Sequence, residues 1–263
     1  MDILESIDES GVANLTLNRP HRRNAFDRAA MLELTTILRR LDCDARVRVV
    51  TLSGAGGNFC AGGDIEWMHG LANASPQAQD DDAMALSEMF HTLDRLSKPT
   101  VAVIEGVAFG GGVGLVACCD IAVADVASKF AMSEVRLGLA PAVVGPYVVR
   151  AVGPRASRAL FLTAESISAD RALQIGLVHQ IAQKNEIKAA RDHVIDALLF
   201  GAPGAQAQTK SLVALCEQRP IDLSLRRETA HVIMARWASL EGAEGLSSFL
   251  ERRAPNWRPR RQA

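Results

Sequence analysis

The 263-residue sequence is poor in aromatic residues and carries almost no net charge. Aromatic side chains make up only 5% of the chain, so aliphatic packing must dominate the core that its 48% hydrophobic content can build. A formal net charge of -1 argues against nucleic acid or an acidic membrane surface as the main partner. No apolar run reaches the roughly 18 residues that a membrane-spanning helix needs.

Paired cysteines and metal-binding motifs are also missing. None of the five cysteines belongs to a CxxC pair, and no histidine, cysteine and acidic residues have metal-ligand spacing. These absences indicate a reducing compartment and no bound metal. The N-terminal residues Met1-Asp2-Ile3 are not arranged like a signal peptide. We therefore expect a soluble cytoplasmic protein without a nucleic-acid, membrane or metal partner.

Hydrophobic periodicity predicts strands that alternate with helices, followed by helices alone. Strands are predicted at residues 12–17, 47–53, 99–105, 120–124 and 129–132. Helices are predicted at residues 24–41, 64–71, 83–96, 115–119, 147–152, 154–163, 168–175, 186–200, 205–218, 223–240 and 241–253. Residues 73–82 are polar and include a proline, which predicts a mobile surface segment. The order predicts an α/β core over residues 1–195 and a helical region over residues 196–263.

Two glycine-rich loops, residues 54–63 and 106–114, each follow an apolar strand and precede a helix. Glycine lets a backbone approach a ligand closely, and a helix N-terminus presents unpaired N–H groups. Such loops suit an anion or a developing oxyanion, although a glycine in a turn often serves only the turn. Neither loop ends in the Gly-Lys-Ser/Thr of a phosphate loop, and residues 106–114 do not fit the dinucleotide pattern G-x-G-x-x-G.

Glu134 is an acidic residue within the apolar segment 130–139. A carboxyl group in such surroundings has its pKa raised by desolvation, which suits it to moving protons near neutral pH. The alternative interpretation is a surface glutamate that pairs with Arg136.

Motifs along nearly the whole chain resemble those of the enoyl-CoA hydratase/isomerase (crotonase) superfamily. They lie at residues 15–20, 23–25, 58–65, 108–112, 119–124 and 241–253. The resemblance implies a spiral of ββα units followed by C-terminal helices that mediate trimerisation. It therefore implies a homotrimer or a dimer of trimers.

The resemblance also implies a site that binds a coenzyme-A thioester. The backbone N–H groups of Gly63 and Gly111 would form an oxyanion hole, and Glu134 would transfer protons. Coenzyme A would be part of the substrate, so no separate cofactor is expected. The residues implied to contact coenzyme A are Arg22, Arg23, Ala25, Ala61, Asp64, Ile65 and Arg252. A solvated basic turn is the alternative for Arg22.

One acidic residue that many family hydratases use is absent here, because Gly114 stands at its position. Isomerases of the family work with a single glutamate, whereas residues 133–142 and 66–68 look most like 3-methylglutaconyl-CoA hydratases. We therefore expect hydration of a short or branched 2-enoyl-CoA, with Gly114 leaving space for a branched or carboxylated acyl chain. The alternatives are a Δ3–Δ2 enoyl-CoA isomerase and a non-catalytic acyl-CoA-binding or RNA-binding relative.

Overall fold

The computed structural model describes residues 1–217 and 219–258, and the strands in this part of the chain form two sheets. The strands are β1 (Ile3–Ile7), β2 (Val12–Leu17), β3 (Val49–Gly54), β4 (Thr100–Ile104), β5 (Val107–Phe109), β6 (Ile121–Asp125), β7 (Lys129–Ala131), β8 (Ile167–Ser168) and β9 (Gln180–Ala182). The larger sheet has the order β1-β2-β3-β4-β6-β9 and is parallel except for the β1–β2 pair. In the smaller sheet, β7 pairs with β5 in parallel and with β8 antiparallel.

The helices of the described chain lie around these sheets and continue beyond them. They are α1 (Arg28–Cys43), α2 (Ile65–Ala72), α3 (Pro76–Arg95), α4 (Gly111–Cys118), α5 (Gly145–Thr163), α6 (Ala169–Gln174), α7 (Ile187–Phe200), α8 (Pro203–Cys216), α9 (Leu223–Trp237) and α10 (Leu240–Leu250). Several begin with a side-chain cap, as at Asp27, Asp64 and Asp222, where the carboxylate accepts a hydrogen bond from a backbone N–H of the first turn.

The larger sheet is covered on both faces, because successive residues of a strand point in opposite directions. Leu15 and Leu52 join the main hydrophobic core, whereas Val12 and Val49 join a second cluster. The second cluster includes Ile195 and Leu199 of α7, so α7 packs against the sheet. The predicted domain boundary at residues 195/196 falls inside this helix; that boundary stays a prediction.

The structure corrects the prediction for residues 73–82. Helix α3 begins at Pro76, with Ser75 Oγ accepting a hydrogen bond from Ala78 N at 3.3 Å. The proline that suggested an irregular segment instead occupies the first helical turn, where its missing N–H has no cost. Strands β1, β5, β8 and β9 were not predicted; β5, β8 and β9 have only two or three residues, which is too few to show a periodicity. Helix α5 joins two predicted helices across a kink at Gly153.

Helices α8 to α10 are much less buried than the core. Leu225 and Ser248 are their buried residues in the described chain, while Phe249 and Leu250 are 82% and 81% exposed. Polar contacts hold this region to the core: Lys210 Nζ donates to Asp120 Oδ2 at 2.7 Å, and Arg48 Nη1 donates to Trp257 O at 2.7 Å. Within the described residues, no helix combines the length and hydrophobicity needed to cross a membrane.

Candidate active site

The two glycine-rich loops lie side by side where β3 and β4 end. Phe109 N donates to Cys60 O at 2.9 Å, and Cys60 N donates to Val107 O at 3.0 Å. Gly62 adopts φ +92°, and a methyl group on it would lie 2.8 Å from Phe109 O and 3.1 Å from Gly111 N. Glycine at position 62 is therefore required for the two backbones to approach so closely.

Arg19 and Asn24 hold the first loop in place. Asn24 lies in the left-handed region with φ 58°, and its Nδ2 donates to Asn58 O at 2.7 Å. Arg19 Nη1 donates to Ala25 O at 2.6 Å, and Arg19 Nη2 pairs with Asp64 at 3.1 Å. Both residues belong to the quoted family motifs, but the sequence interpretation assigned them no role.

Gly111 is the first residue of α4, so its N–H belongs to the helix N-terminus, where intrahelical partners are lacking. Gly110 precedes it with φ 49°, and Gly110 N donates to Ala131 O at 2.8 Å. Phe26 packs against Gly111 so tightly that a methyl group on Gly111 would lie 2.4 Å from Phe26 Cζ. The core therefore fixes the start of this helix.

Glu134 follows β7, and its carboxyl group lies beside the second loop. A methyl group on Gly110 would lie 3.1 Å from Glu134 Oε1 and 3.9 Å from Oε2. Oε2 is buried and has no hydrogen-bond partner within residues 1–217 and 219–258. Burial raises the pKa of the Glu134 carboxyl, against a smaller lowering by its own backbone N–H.

The position of Glu134 argues against the alternative of a surface ion pair with Arg136. The carboxyl is partly buried, whereas Arg136 is exposed, and no ion pair joins the two in the described chain. The structure thus brings the Glu134 carboxyl to Gly110, which precedes Gly111, and brings Gly111 to Gly62, which precedes Gly63. A buried carboxyl beside glycine-rich backbone suits proton transfer next to a developing negative charge.

Gly114 does not leave a space for an acyl chain. A methyl group at this position would lie 2.8 Å from Phe90 Cε1 and 2.9 Å from Val144 Cγ1. Phe90 is fully buried, with ring centroids 6.4 Å from Phe26 and 6.0 Å from Tyr147. The expectation of an acyl cavity beside Gly114 is therefore wrong, because an aromatic cluster already fills that volume.

Residues 22–25 and 61–65, which carry six of the seven predicted coenzyme-A contacts, form adjacent segments. Ala61 N donates to Arg23 O at 2.9 Å, and Phe26 N donates to Gly62 O at 2.9 Å. Arg23 and Ile65 are exposed, and both lie at the surface of this junction. The two segments therefore lie next to each other, and each carries an exposed side chain.

Internal contacts already engage three of the predicted coenzyme-A contacts. Arg22 Nη2 donates to Glu66 Oε2 at 2.7 Å, and Asp64 Oδ1 accepts from Glu66 N at 3.0 Å while capping α2. Ala25 is buried, and its carbonyl oxygen accepts from Arg19. The predicted role of these residues in binding coenzyme A stays a prediction.

Arg252, the seventh predicted contact, lies beyond the end of α10 and is exposed, with φ 56°. Within the described chain, no hydrogen bond or ion pair joins it to residues 22–25 or 61–65. The predicted contact between Arg252 and coenzyme A stays a prediction.

Cys60 lies next to the first loop but is not a nucleophile. Its Sγ donates to Asn24 O at 3.1 Å, and burial raises the pKa of the thiol to about 12. The reactive form of cysteine is the thiolate, so this side chain stays inert at neutral pH. Within residues 1–217 and 219–258, no group of three or more histidine, cysteine or acidic side chains could hold a metal ion.

The fold and this group of loops define the class of the protein as an α/β crotonase fold. The profile of the enoyl-CoA hydratase/isomerase family matches residues 8–260. The chain therefore belongs to the enoyl-CoA hydratase/isomerase family.

Some relatives of this chain are named hydratases and others isomerases. An enoyl-CoA hydratase structure from Shewanella pealeana aligns with a TM-score of 0.94 and 37% identity over 98% of this chain and 96% of that chain. Crotonyl-CoA hydratase of Syntrophomonas wolfei is 31% identical over 251 residues, 95% of each chain. The 1,2-epoxyphenylacetyl-CoA isomerase of Escherichia coli is 30% identical over 263 residues, 98% of each chain. Similarity alone therefore supports an enzyme that is a hydratase or an isomerase.

Proposed function

We propose that this protein is an enoyl-CoA hydratase that adds water to a short or branched 2-enoyl-CoA, with 3-methylglutaconyl-CoA as the leading candidate substrate. The observation that carries the proposal is the buried, unpartnered Oε2 of Glu134 beside the second glycine-rich loop. A buried polar atom without a partner is costly, and such atoms are retained where a ligand or reacting group completes them.

In the proposed reaction, the Glu134 carboxylate takes a proton from a water molecule whose oxygen adds to C3 of the enoyl thioester. The electrons of the C2=C3 bond move toward the thioester carbonyl and form an enolate. The N–H groups of Gly63 and Gly111 hold the enolate oxygen, an interaction worth about 3–4 kcal/mol per donor in comparable oxyanion holes. The protonated Glu134 then returns the proton to C2, which restores the carboxylate and completes the addition of water.

Coenzyme A would bind along residues 22–25 and 61–65. Arg22 and Arg23 would donate charge-assisted hydrogen bonds to phosphate oxygens. Arg22 would first have to leave Glu66, but both side chains are solvent-exposed, and an exposed ion pair contributes little. Ala25, Ala61, Asp64 and Ile65 would contribute backbone and apolar contacts.

Arg252 would reach the coenzyme from a neighbouring subunit of a homotrimer or a dimer of trimers. The exposed apolar side chains of α10, among them Phe249 and Leu250, support the proposal that a neighbouring subunit covers this region. Analytical ultracentrifugation should give three or six subunits, and a monomer at micromolar concentration would contradict the proposed assembly.

One observation favours isomerisation between Δ3 and Δ2 enoyl-CoA as the second candidate. Position 114 carries no carboxyl group, and Phe90 and Val144 fill the volume beside it, so Glu134 would act without a second acid from that position. A single carboxyl suffices to move a proton between C2 and C4. Absorbance of the 2-enoyl thioester distinguishes the two reactions, because hydration removes the conjugated bond and isomerisation of a 3-enoyl substrate creates it.

The direct test is the variant Glu134→Gln, which keeps the shape of the side chain but removes proton transfer. We expect turnover of crotonyl-CoA or 3-methylglutaconyl-CoA to fall by about 10²–10⁴-fold. Glu165→Gln, at an exposed acidic residue, is the matched control and should keep the wild-type rate. A Glu134→Gln enzyme with near-wild-type turnover would end the assignment. Tight acyl-CoA binding without turnover of any thioester would instead support the non-catalytic relative.

The pH dependence follows from the raised pKa of Glu134. Only the carboxylate accepts a proton from water, so the hydration rate should fall as the pH drops through this raised pKa. The folded state holds this proton more tightly than the unfolded state, so ionisation of Glu134 lowers the free energy of unfolding as the pH rises above the ordinary pKa of a glutamate. Glu134→Gln should therefore raise Tm at pH 7.5 and lose this advantage near pH 4. An equal Tm difference at both pH values would contradict the raised pKa.

A further inference from the structure

Asp82 is a buried acidic residue that the proposed reaction does not use. It lies on α3, where Met89, Phe90 and Leu93 are the other buried residues. Asp82 therefore lies on the face of α3 that packs against the core. Burying a carboxylate is costly unless it is paired and hydrogen-bonded. A buried charge at this place therefore needs partners, and its partners come from two other helices.

Arg28 and Trp67 provide those partners, one for each carboxylate oxygen. The Arg28 guanidinium, at the start of α1, forms an ion pair with Oδ1. The Trp67 indole, on α2, donates from Nε1 to Oδ2 at 2.8 Å. Because each oxygen has a different partner, the carboxylate links the ring of Trp67 to two helices of the core and restricts its rotation.

The Trp67 ring and the Met68 thioether lie against Gly63. A methyl group on Gly63 would lie 3.4 Å from Trp67 Cζ3 and 3.2 Å from Met68 Sδ. Trp67 is half-buried and packs on the main core. The indole is rigid, whereas the thioether is flexible, so the indole is the side chain that limits the space beside Gly63.

We propose that Asp82, anchored by Arg28, is a positioning residue that holds the Trp67 indole against Gly63, so that the indole limits the length and width of the acyl group that fits there. The inference rests on the proposed function, in which the thioester carbonyl lies at Gly63. Trp67 is then a specificity-determining residue of the acyl site. Asp82 acts only through it, because its two oxygens are engaged by Arg28 and Trp67.

The experiment measures binding of saturated acyl thioesters, which cannot be hydrated or isomerised. Dissociation constants for butyryl-CoA and octanoyl-CoA are determined by calorimetry, and their ratio reports acyl selectivity. We expect Trp67→Ala to shift this ratio at least tenfold toward octanoyl-CoA. Asp82→Ala should shift it at least threefold in the same direction, because the ring loses its anchor.

Conservative variants separate positioning from a purely structural role. Asp82→Asn keeps an oxygen that can accept from the indole N–H, so its ratio should stay within twofold of wild type although loss of the Arg28 ion pair lowers Tm. Trp67→Phe removes the N–H, so adding Asp82→Ala to it should not change the ratio further. Asp80→Ala, at an exposed acidic residue on the same helix, is the control and should change neither ratio nor Tm.

The inference is overturned if Trp67→Ala and Asp82→Ala lower Tm but leave the ratio within twofold of wild type. If Trp67→Ala does not fold, Asp82→Ala and the double variant with Trp67→Phe decide the question. Failure of the proposed function gives a different result: Glu134→Gln would keep full turnover, while the binding ratios of the Trp67 and Asp82 variants would still shift.

Discussion

The two glycine-rich loops that meet at the candidate site are supported in different ways. In the second loop, methyl groups on Gly111, Gly112 and Gly114 would lie 2.4 Å from Phe26, 2.2 Å from Cys60 O and 2.8 Å from Phe90. In the first loop, a methyl group on Gly57 would have nothing within 4 Å, and the atoms nearest a methyl group on Gly63 would be those of the Met68 and Trp67 side chains, at 3.2 Å or more.

This difference shows that the core fixes one side of the site, whereas replaceable side chains define the other. The second loop is enclosed by backbone and fully buried rings, which can move only if the core is distorted. In the first loop, Gly54, Gly56 and Gly62 are also enclosed, whereas Gly63 borders side chains of α2. We infer that substitutions of surface residues do not move the Gly111 N–H. Substitutions of the side chains next to Gly63 would instead change which acyl groups bind.

Gly114→Glu should have the largest effect, because it restores the second acidic residue of family hydratases where no volume exists for it. The side chain would have to displace Phe90 or Val144 and bury an unpaired charge. We expect a loss of about 3 kcal/mol or more in unfolding free energy, or roughly 6–12 °C in Tm. Gly114→Ala is the milder control. A Gly114→Glu enzyme with wild-type Tm and faster hydration would show that Phe90 and Val144 leave room for a side chain at position 114.

Gly111→Ala should have the next largest effect, since the new methyl group would press on Phe26. Overpacking of this kind costs about 1–3 kcal/mol, and displacement of the Gly111 N–H should lower turnover by about 10²-fold. Chemical denaturation and steady-state kinetics measure the two effects. Adding Phe26→Leu makes room, so the double variant should recover part of both; no recovery would indicate that Phe26 is not the obstacle.

Gly63→Ala should be nearly neutral for stability, below about 1 kcal/mol, because Met68 Sδ can move by a few tenths of an ångström. The added methyl group should push the Met68 and Trp67 side chains and alter the ratio of turnover between short and long acyl thioesters. A thioester panel measures the change. A loss of stability as large as that of Gly111→Ala would remove the contrast between the two loops.

Gly57→Asn should have the smallest effect. Gly57 is exposed, with φ +74° and open space where a side chain would extend, and asparagine tolerates this left-handed conformation. We expect Tm and turnover to stay close to wild type in thermal and kinetic assays. A marked loss of turnover alone would show that this outer part of the first loop contacts the substrate.

Sequence periodicity located the long elements of the fold, because they have one buried face, although it missed the first turns of α3. Helix α1 was predicted at residues 24–41 and lies at Arg28–Cys43, and β2 was predicted with its observed bounds. The start of α4 was missed, since its first four residues, 111–114, are glycine or valine without helical periodicity. Its helical conformation depends on packing against Phe26, Cys60 and Phe90 rather than on intrinsic preference.

Some features of the candidate site could likewise be predicted from the sequence, and others could not. The apolar surroundings of Glu134 in the sequence predicted the direction of its pKa, and the structure shows the same cause, burial. The sequence did not identify Asp82 as a buried residue and placed it in a mobile segment. Its burial depends on Arg28 and Trp67, which are distant in sequence and meet it only in the folded chain.

The sequence by itself determined the crotonase family, the alternation of its longer strands and helices, and the presence of one acidic residue in an apolar segment between the second glycine-rich loop and the later helices. Only the tertiary structure decided that Phe90 and Val144 occupy the volume beside Gly114, and that Asp82 links Arg28 to Trp67. The reason is that motifs and periodicity are local properties of the chain. The volume around a residue and the partners of a buried charge are set by segments that come together only on folding.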